Sequence, residues 1–520
     1  MQRNHLAWQP DMLLHNYLQR PATRLPDKIA LVTGERRLSY GSIFAFARGL
    51  AAYLHSHGLQ KGDRVAVYLD NCAEAVISIF AILQAGGCFV VVNHTAPQER
   101  LGYIVNHCAA KFLIAPSHAL DRVTEARRIC QHPFDLIVIG ADSLPAGAIN
   151  FNEACSCTST SFLPKVIDQD LAAIIYTSGS TGEPKGVTFA HRNIDSAVDS
   201  IVEYLEHSED DVVLGVLPLS FGYGLLQLLV TFKTSGRLVL EKGFGYPYEI
   251  IKRMKSERVT GFAGIPTMYA ILTQLESIAK EDLSSLRYIT NAAAGIPPSF
   301  IPKLQKIFPH TKIFLMHGLT ECLRTTYLPP DQLDRRPTSV GTGMPNVELW
   351  IEDAEGHRLP NGQTGELVVR GSNIMLGYWN DPATTARVVT QGRYPWERTL
   401  HSGDLFRTDE EGYFYFVARK DEIIKSRGER ISPKEIEDVL YQIDEVHEAR
   451  VIGVPDPILG QAIRAEIVLK DGRALTERDV KAYCKQHLED FKTPTVVAFV
   501  TALPKTAGGK IKRTGQIAST

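Results

Sequence analysis

The sequence predicts an α/β fold divided into two or more domains. Two observations lead to this prediction. Strand-like and helix-like segments alternate through the first part of the chain, and 520 residues exceed what one hydrophobic core usually organises. Hydrophobic residues make up 44% of the chain, which is enough to fill several cores.

The alternation begins near residue 40. Apolar residues at helical spacing predict a helix over 40–59, which Gly58 and Gly62 end. The elements predicted next are strands at 64–69, 88–92, 111–115 and 134–140 and helices at 74–83 and 121–131. Strand, helix and strand in succession indicate a parallel layer, and the Gly/Pro/Ser-rich segment 142–165 is interpreted as a connection.

Charge and cysteine usage exclude several classes of function. The chain has 56 basic and 58 acidic residues, so its net charge of −2 argues against nucleic acid or an anionic membrane as a partner. The 8 cysteines form no Cys-x-x-Cys pair or zinc-like spacing and are interpreted as reduced, packed thiols. We find neither a signal core nor an apolar membrane span, and we expect a soluble, cytoplasmic protein.

The segment 176–187, Tyr-Thr-Ser-Gly-Ser-Thr-Gly-Glu-Pro-Lys-Gly-Val, carries the strongest signal for chemistry. It follows a predicted strand over 170–176, so the loop leaves a strand end. Glycines allow backbone amides to turn around an anion, while hydroxyls and Lys185 add donors and positive charge. Because Pro184 precedes Lys185 and Gly186 follows it, this is not a Walker A loop. This combination of hydrogen-bond donors and positive charge suits a polyphosphate ligand.

This string closely resembles the phosphate-binding signature of the adenylate-forming superfamily, which comprises acyl- and aryl-CoA synthetases, adenylation domains and luciferases. Further resemblance is carried in order by 218–224, 259–268, 286–295, 316–321, 365–371, 375–380, 401–405, 419–421, 423–433 and 503–513. It implies a large N-terminal domain of layered α/β subdomains and a small, mobile C-terminal α+β domain.

The resemblance also implies roles for individual residues in binding MgATP. Lys185, Thr320, Glu321 and Lys510 would be catalytic, and Glu321 would also be the Mg²⁺ ligand. Asp404 would accept hydrogen bonds from the ribose hydroxyls, and His317 would stack on adenine where relatives usually have tyrosine. The nucleotide-binding residues would be Thr177, Ser178, Gly179, Ser180, Thr181, Gly182, Lys185, Gly295, His317, Gly318, Thr320, Asp404, Arg419 and Lys510.

The acyl pocket is expected at Phe221 and Gly222. In the resemblance Phe221 fits the gating aromatic residue, whereas amino-acid-activating relatives have Phe-Asp at this point. A glycine at 222 cannot supply the counter-charge of a substrate ammonium group, which disfavours amino-acid substrates. Short, medium, long and aryl acids all fit the same motifs.

The C-terminal motifs imply domain alternation. Asp421 would be the hinge between an N-terminal domain, 1–420, and a C-terminal domain, 421–520. Gly428 would line the pantetheine tunnel, and a helix is predicted over 433–441.

The reaction that the resemblance implies has two steps. A carboxylate attacks the α-phosphorus of MgATP to give acyl-AMP and pyrophosphate, and the thiol of CoA then displaces AMP. One alternative is an acyl-AMP ligase that loads the phosphopantetheine of an acyl carrier protein, and another is a non-catalytic nucleotide-binding scaffold.

Overall fold

The structure is a computed structural model that describes residues 12–141, 143–158, 163–177, 183–275, 278, 281–292, 294–426, 429–456, 459–506 and 511–512. Contacts between Cα atoms divide the chain into two units. The first unit takes the chain up to Gly243 together with Thr320–Leu323 and Ser372–Thr385, and the second takes Phe244–Leu319, Arg324–Gly371 and the chain from Ala386.

The helices up to residue 243 are α1 (Asn16–Arg24), α2 (Tyr40–Ser56), α3 (Ala73–Gln84), α4 (Gln98–His107), α5 (Leu120–Ile129), α6 (Phe151–Cys155), α7 (His191–Leu205) and α8 (Gly222–Lys233). The strands are β1 (Ile29–Thr33), β2 (Arg36–Ser39), β3 (Arg64–Val67), β4 (Cys88–Val91), β5 (Phe112–Pro116), β6 (Asp135–Ile139), β7 (Ile149–Asn150), β8 (Leu171–Thr177), β9 (Lys185–Ala190), β10 (Val212–Gly215) and β11 (Arg237–Leu240).

The helices after residue 243 are α9 (Pro247–Ser256), α10 (Pro266–Leu272), α11 (Ile301–Ile307), α12 (Pro382–Val388), α13 (Pro433–Leu440) and α14 (Glu477–His487). The strands are β12 (Gly261–Gly264), β13 (Tyr288–Asn291), β14 (Lys312–His317), β15 (Thr326–Tyr327), β16 (Thr342–Gly343), β17 (Val347–Glu352), β18 (Thr364–Gly371), β19 (Gly377–Tyr378), β20 (Val389–Gln391), β21 (Arg398–Thr408), β22 (Phe414–Arg419), β23 (Ile424–Ser426), β24 (Glu429–Ile431), β25 (Val446–Asp456), β26 (Gly460–Leu469) and β27 (Val496–Phe499).

The first unit is built on an eight-stranded sheet with the order β19-β9-β8-β4-β3-β5-β6-β7. From β8 to β7 neighbouring strands are parallel, while β9 and β19 are antiparallel. Apolar residues of α4 and α5 pack on this sheet and close its core. The predicted parallel layer is therefore confirmed. Strand β9 runs antiparallel to β8, so the chain returns alongside β8 after the glycine-rich loop.

One prediction in this unit is wrong in part. The segment 142–165 is not only a connection, because it contains β7 and α6. Phe151 and Cys155 of α6 are buried. Helix α2 admits this packing through Gly49, where a Cβ atom would lie 1.7 Å from the Cys155 carbonyl oxygen. A five-residue helix carries too little periodicity to be visible among Ser, Thr and Gly.

The second unit contains three groups of strands. Strands β12, β13 and β14 are parallel, and β15 and β16 continue them antiparallel. An antiparallel sheet follows with the order β17-β18-β21-β20 and β22 paired to β21. The last sheet, β24-β23-β26-β25 with β27 parallel to β26, shares a core with α13 and α14. The predicted helix at 433–441 is confirmed as α13.

Two further expectations concern the cysteines and membrane-spanning segments. None of the 8 cysteines forms a disulfide, and burial raises the pKa of the Cys72, Cys108 and Cys155 thiols to about 12, as expected for packed thiols. No helix in the described part of the chain combines the length and apolar character needed to cross a bilayer.

Candidate functional site

The glycine-rich loop joins β8 to β9, and the structure shows how its two ends are held. Thr177 at the end of β8 is the register partner of Lys185 at the start of β9. Helix α4 contacts both ends: His107 Nδ1 lies 2.8 Å from the Tyr176 hydroxyl, and the Tyr103 hydroxyl lies 3.3 Å from the Pro184 carbonyl oxygen.

Burial determines the charge state of both groups in the contact between Tyr176 and His107. Burial raises the pKa of the Tyr176 phenol well above its usual range and lowers the pKa of His107. Both groups are therefore neutral near pH 7, and this contact adds no charge at the base of the loop.

Gly186 has a different role from the one that the sequence suggested. We expected it to help the loop turn, but it lies inside β9. A Cβ atom there would meet Ile174 Cγ2 at 2.8 Å and Trp379 Cβ at 3.2 Å. Gly186 is therefore needed for close packing between β8 and the segment that contains β19.

Lys185 and Glu321 share one neighbour, Tyr378. The Lys185 Nζ atom lies 5.4 Å from the centroid of the Tyr378 ring, a cation–π distance. The Tyr378 hydroxyl donates to Glu321 Oε1 at 2.8 Å, and the Glu321 carbonyl accepts from the amide of Met375 at 2.8 Å. Strand β19 places Tyr378 there by pairing with β9, where Val187 is its register partner. We call Lys185, Tyr378 and Glu321 the phenol cluster.

The donors of the phenol cluster fit a magnesium ion that is bound together with substrate phosphates. Mg²⁺ is usually held by one or two carboxylates, with phosphate oxygens and water completing its shell. Glu321 supplies one half-buried carboxylate. The described residues contain no group of three or more His, Cys, Asp or Glu that could hold a metal ion alone.

The predicted acyl-pocket residues lie at the start of α8. Phe221 precedes the helix in an extended conformation, and Gly222 is its first residue. A Cβ atom at Gly222 would lie 3.3 Å from Leu323 Cδ2, and Leu323 is buried. The surroundings of Gly222 are therefore apolar in the direction in which a side chain would extend.

His317, Asp404 and Arg419 come together in the second unit. His317 Nε2 lies 3.0 Å from Asp404 Oδ2, and Arg419 Nη1 lies 3.5 Å from Asp404 Oδ1. Asp404 is only 3% exposed although it carries a carboxylate. Gly403 has a φ of +72° and donates its amide to Glu366 Oε1 at 2.8 Å, which fixes the irregularity of β21 directly before Asp404.

The His317 ring is oriented through both of its nitrogens. Nδ1 lies 2.8 Å from Thr325 Oγ1, while Nε2 contacts Asp404. The ring also packs edge-on against Phe406 and stacks on Phe416. His317 is therefore part of a rigid aromatic platform, and its predicted contact with adenine stays a prediction.

The remaining predicted residues are placed as follows. Thr177, Gly318 and Thr320 are half-buried, and Gly295 is exposed, with Lys434 near it. Asp421 is exposed in the turn between β22 and β23, and its Oδ1 lies 3.6 Å from Arg419 Nε. Seven residues lie outside the described part of the chain: Ser178, Gly179, Ser180, Thr181, Gly182, Gly428 and Lys510.

Sequence reasoning missed Tyr378 and Thr325. The string 375–380 is part of the resemblance, but no role in binding was predicted for it. A tyrosine directly after a glycine was the available signal. Thr325 carried none, since nothing in the sequence shows that it would face a histidine eight residues earlier.

Comparison with known proteins shows the family. A model of the AMP-binding enzyme family matches residues 18–379, and a model of the AMP-binding enzyme C-terminal domain matches residues 435–510. A long-chain-fatty-acid–CoA ligase of Bacillus subtilis is 31% identical, with 97% of this chain and 94% of that protein covered.

Solved structures agree with this result. An anthranilate CoA ligase in complex with anthranoyl-AMP has a TM-score of 0.88 at 27% identity, covering 96% of this chain and 95% of that one. ATP-bound MatB from Rhodopseudomonas palustris has a TM-score of 0.86 at 29% identity, covering 96% of this chain and 97% of that one.

The predicted architecture of a large N-terminal and a small C-terminal domain is thereby confirmed. The boundary at Asp421 stays a prediction. It falls inside the second unit and between the two segments that the family models match. The chain belongs to the AMP-binding enzyme family of adenylate-forming enzymes, and it is of the AMP-forming acid–CoA ligase type.

Proposed function

We propose that this protein activates a carboxylic acid without an α-ammonium group as its acyl-AMP and then transfers the acyl group to the thiol of CoA. In the first step a carboxylate oxygen attacks the α-phosphorus of ATP and pyrophosphate leaves. In the second step the thiol attacks the acyl carbonyl and AMP leaves, while the thiol proton passes to solvent.

The observation that carries the proposal is the phenol cluster. A cation and a carboxylate held on one phenol at the base of a glycine-rich hairpin suit the triphosphate and its metal ion. Mg²⁺ at Glu321 would neutralise phosphate charge. Lys185, Thr320 and the loop residues would orient the phosphates, and little covalent chemistry is asked of the protein.

The adenosine would be bound by the other group of residues. Asp404 is buried and oriented by His317 and Arg419, so its carboxylate is preorganised to accept hydrogen bonds from the ribose hydroxyls. The half-buried His317 ring and the backbone at Gly295 and Gly318 would contact adenine. Lys510 would face the carboxylate and the α-phosphate during adenylation.

The proposal is tested by separating the two steps. Acid-dependent exchange of pyrophosphate into ATP would establish adenylation. AMP release would then be compared with CoA and with a purified phosphopantetheinylated carrier protein as acceptor. Release with CoA supports the proposal, and release with the carrier protein alone favours the acyl-AMP ligase. Absence of exchange with every acid would leave only the scaffold.

The apolar surroundings of Gly222 lead to a prediction about substrates. L-Phenylalanine and 3-phenylpropanoate differ only by the ammonium group, and an unpaired buried ammonium costs several kcal/mol. We expect the amino acid to show a kcat/KM for exchange at least about a hundredfold lower than the plain acid. An acid panel led by an ordinary L-amino acid would contradict this interpretation of Gly222.

A further inference from the structure

The last sheet contains a charged pair that has no access to solvent. Arg450 of β25 and Glu466 of β26 are register partners, and both side chains are 0% exposed. Arg450 Nε donates to Glu466 Oε2 at 2.9 Å, and Arg464 Nε donates to the other oxygen, Oε1, at 3.0 Å.

Such a pair is weak evidence for stability. Removing two charges from water costs several kcal/mol each, and well-packed apolar residues often serve a sheet as well or better. The pair is therefore better explained by what the charge does beyond the sheet.

The guanidinium also has a contact that is remote in sequence. Arg450 Nη1 donates to the main-chain carbonyl oxygen of Lys512 at 2.6 Å, across 62 positions of the chain. Lys512 stands two residues after Lys510. The buried arginine is thus bonded to the backbone of the motif that carries the proposed adenylation lysine.

The backbone around this contact is closed at its base. Lys505 and Ile511 form an antiparallel bridge, and the amide of Lys512 donates to the Pro504 carbonyl at 2.8 Å. Ile511 packs on the buried side chains of Ala498, Val500 and Leu503. Lys505 Nζ lies 2.6 Å from Glu448 Oε1. The backbone at Pro504 and Lys505 is therefore held against the backbone at Ile511 and Lys512.

We propose that Arg450 is a positioning residue for adenylation: held by Glu466, it fixes the backbone at Lys512 and thereby supports the proposed role of Lys510, two residues earlier in the chain. The inference rests on the proposed function of Lys510. It differs from a catalytic role because Arg450, being fully buried, touches no substrate. A misplaced charge loses much of its effect on a transition state, since the benefit depends on preorganised geometry.

The test variant removes the pair without leaving a lone buried charge. Arg450→Met with Glu466→Leu keeps the volume apolar, which similar replacements tolerate. Arg464→Met is the matched control. Arg464 donates to the same carboxylate as Arg450 but, unlike Arg450, has no hydrogen bond to the Lys512 carbonyl. Folding of both variants is checked by hydrogen exchange of the β25 and β26 amides.

Three measurements are made on each variant: hydrogen exchange of the segment 503–512, acid-dependent ATP–pyrophosphate exchange, and conversion of synthetic acyl-AMP to acyl-CoA. We expect the double variant to exchange amides of this segment about tenfold faster or more and to lose about ten- to a hundredfold in pyrophosphate exchange. Thioester formation should stay within about twofold of wild type. Arg464→Met should resemble wild type in all three.

The inference is overturned if the folded double variant keeps both its protection at 503–512 and its adenylation rate, or if it loses the two half-reactions equally. A failure of the proposed function looks different. Lys510→Ala would then retain pyrophosphate exchange, and the amide protection of the double variant would still decide whether Arg450 holds the segment.

Discussion

Lys185 and the segment that carries Lys510 are held in opposite ways. Lys185 belongs to a strand, with its charge over the Tyr378 ring and its backbone paired to Thr177. Lys510 stands in the sequence between Lys505 and Ile511, which form a backbone bridge, and the carbonyl of the adjacent Lys512 accepts from the guanidinium of Arg450. The backbone of Lys185 is therefore held within its own hairpin, whereas the chain on either side of Lys510 is held by Glu448 and Arg450, which are remote in sequence.

This difference suggests a division of labour between the two lysines. A charge built into a sheet can serve phosphates whenever nucleotide is bound. A charge on a tethered segment of a small domain can be presented for one step and withdrawn for the next, as the resemblance to adenylate-forming enzymes implies. The comparison holds if changes at the two lysines and at the hinge affect different half-reactions.

The largest expected effect is that of Lys510→Ala. As the charge facing the carboxylate and α-phosphate in the transition state, Lys510 should contribute about 2–4 kcal/mol, or roughly a hundred- to thousandfold in rate. ATP–pyrophosphate exchange should fall by that factor. Conversion of synthetic acyl-AMP to acyl-CoA should stay near wild type, because thiol attack follows withdrawal of the lysine. Equal loss of both activities in a folded variant would end the proposed alternation.

Gly428→Trp should show the opposite pattern. By the resemblance Gly428 lines the pantetheine tunnel, and an indole would fill that space. We expect pyrophosphate exchange within about threefold of wild type and thioester formation reduced about a hundredfold or more. Gly428→Ala is the matched control, since a methyl group should have a much smaller effect. A tryptophan variant that makes acyl-CoA normally would place the tunnel elsewhere.

Asp421→Pro should slow thioester formation about tenfold or more while leaving adenylation largely intact. Asp421 lies in the turn between β22 and β23, where a hinge would change its backbone dihedrals, and proline fixes φ near −65°. Asp421→Ala controls for the loss of the carboxylate near Arg419. Parallel loss of both half-reactions in the proline variant would show that the turn is not a hinge.

The features that could be predicted from the sequence are those that depend on local residue patterns. Buried strands such as β8 and helices such as α2 follow from apolar spacing, and the glycine-rich string indicates phosphate through its composition. Gly186 was misassigned because a glycine needed for packing looks the same as one needed for a turn. The contact between Tyr378 and Glu321 spans 57 positions, and only the pairing of β19 with β9 creates it.

Arg450 shows the same limit of sequence-based prediction for a charged residue. In the sequence it is an ordinary arginine in a strand, and polar residues in strands usually face solvent. Its complete burial depends on Glu466 and on the carbonyl of Lys512, neither of which is local. Long-range polar contacts of this kind are decided by topology rather than by residue type.

The smallest expected effect concerns Tyr378. Tyr378→Phe keeps the ring beneath Lys185 and removes only the hydroxyl that orients Glu321. A hydrogen bond to a charged group is worth about 1.5–3 kcal/mol, of which water can replace a part at a half-buried carboxylate. We therefore expect the Mg²⁺ concentration for half-maximal pyrophosphate exchange to rise roughly five- to tenfold, with the rate at saturating Mg²⁺ changed less than about threefold.

The chain offers a matched control for this variant. The Tyr415 hydroxyl lies 3.0 Å from Asp409 Oδ2, so Tyr415→Phe removes a phenol–carboxylate bond of the same kind from strand β22. It should leave the Mg²⁺ requirement unchanged. If both variants raised that requirement alike, the effect would be one of general stability. If Tyr378→Phe left it unchanged, the phenol would serve Lys185 through its ring alone, and the hairpin lysine would not be coupled to the metal-binding carboxylate.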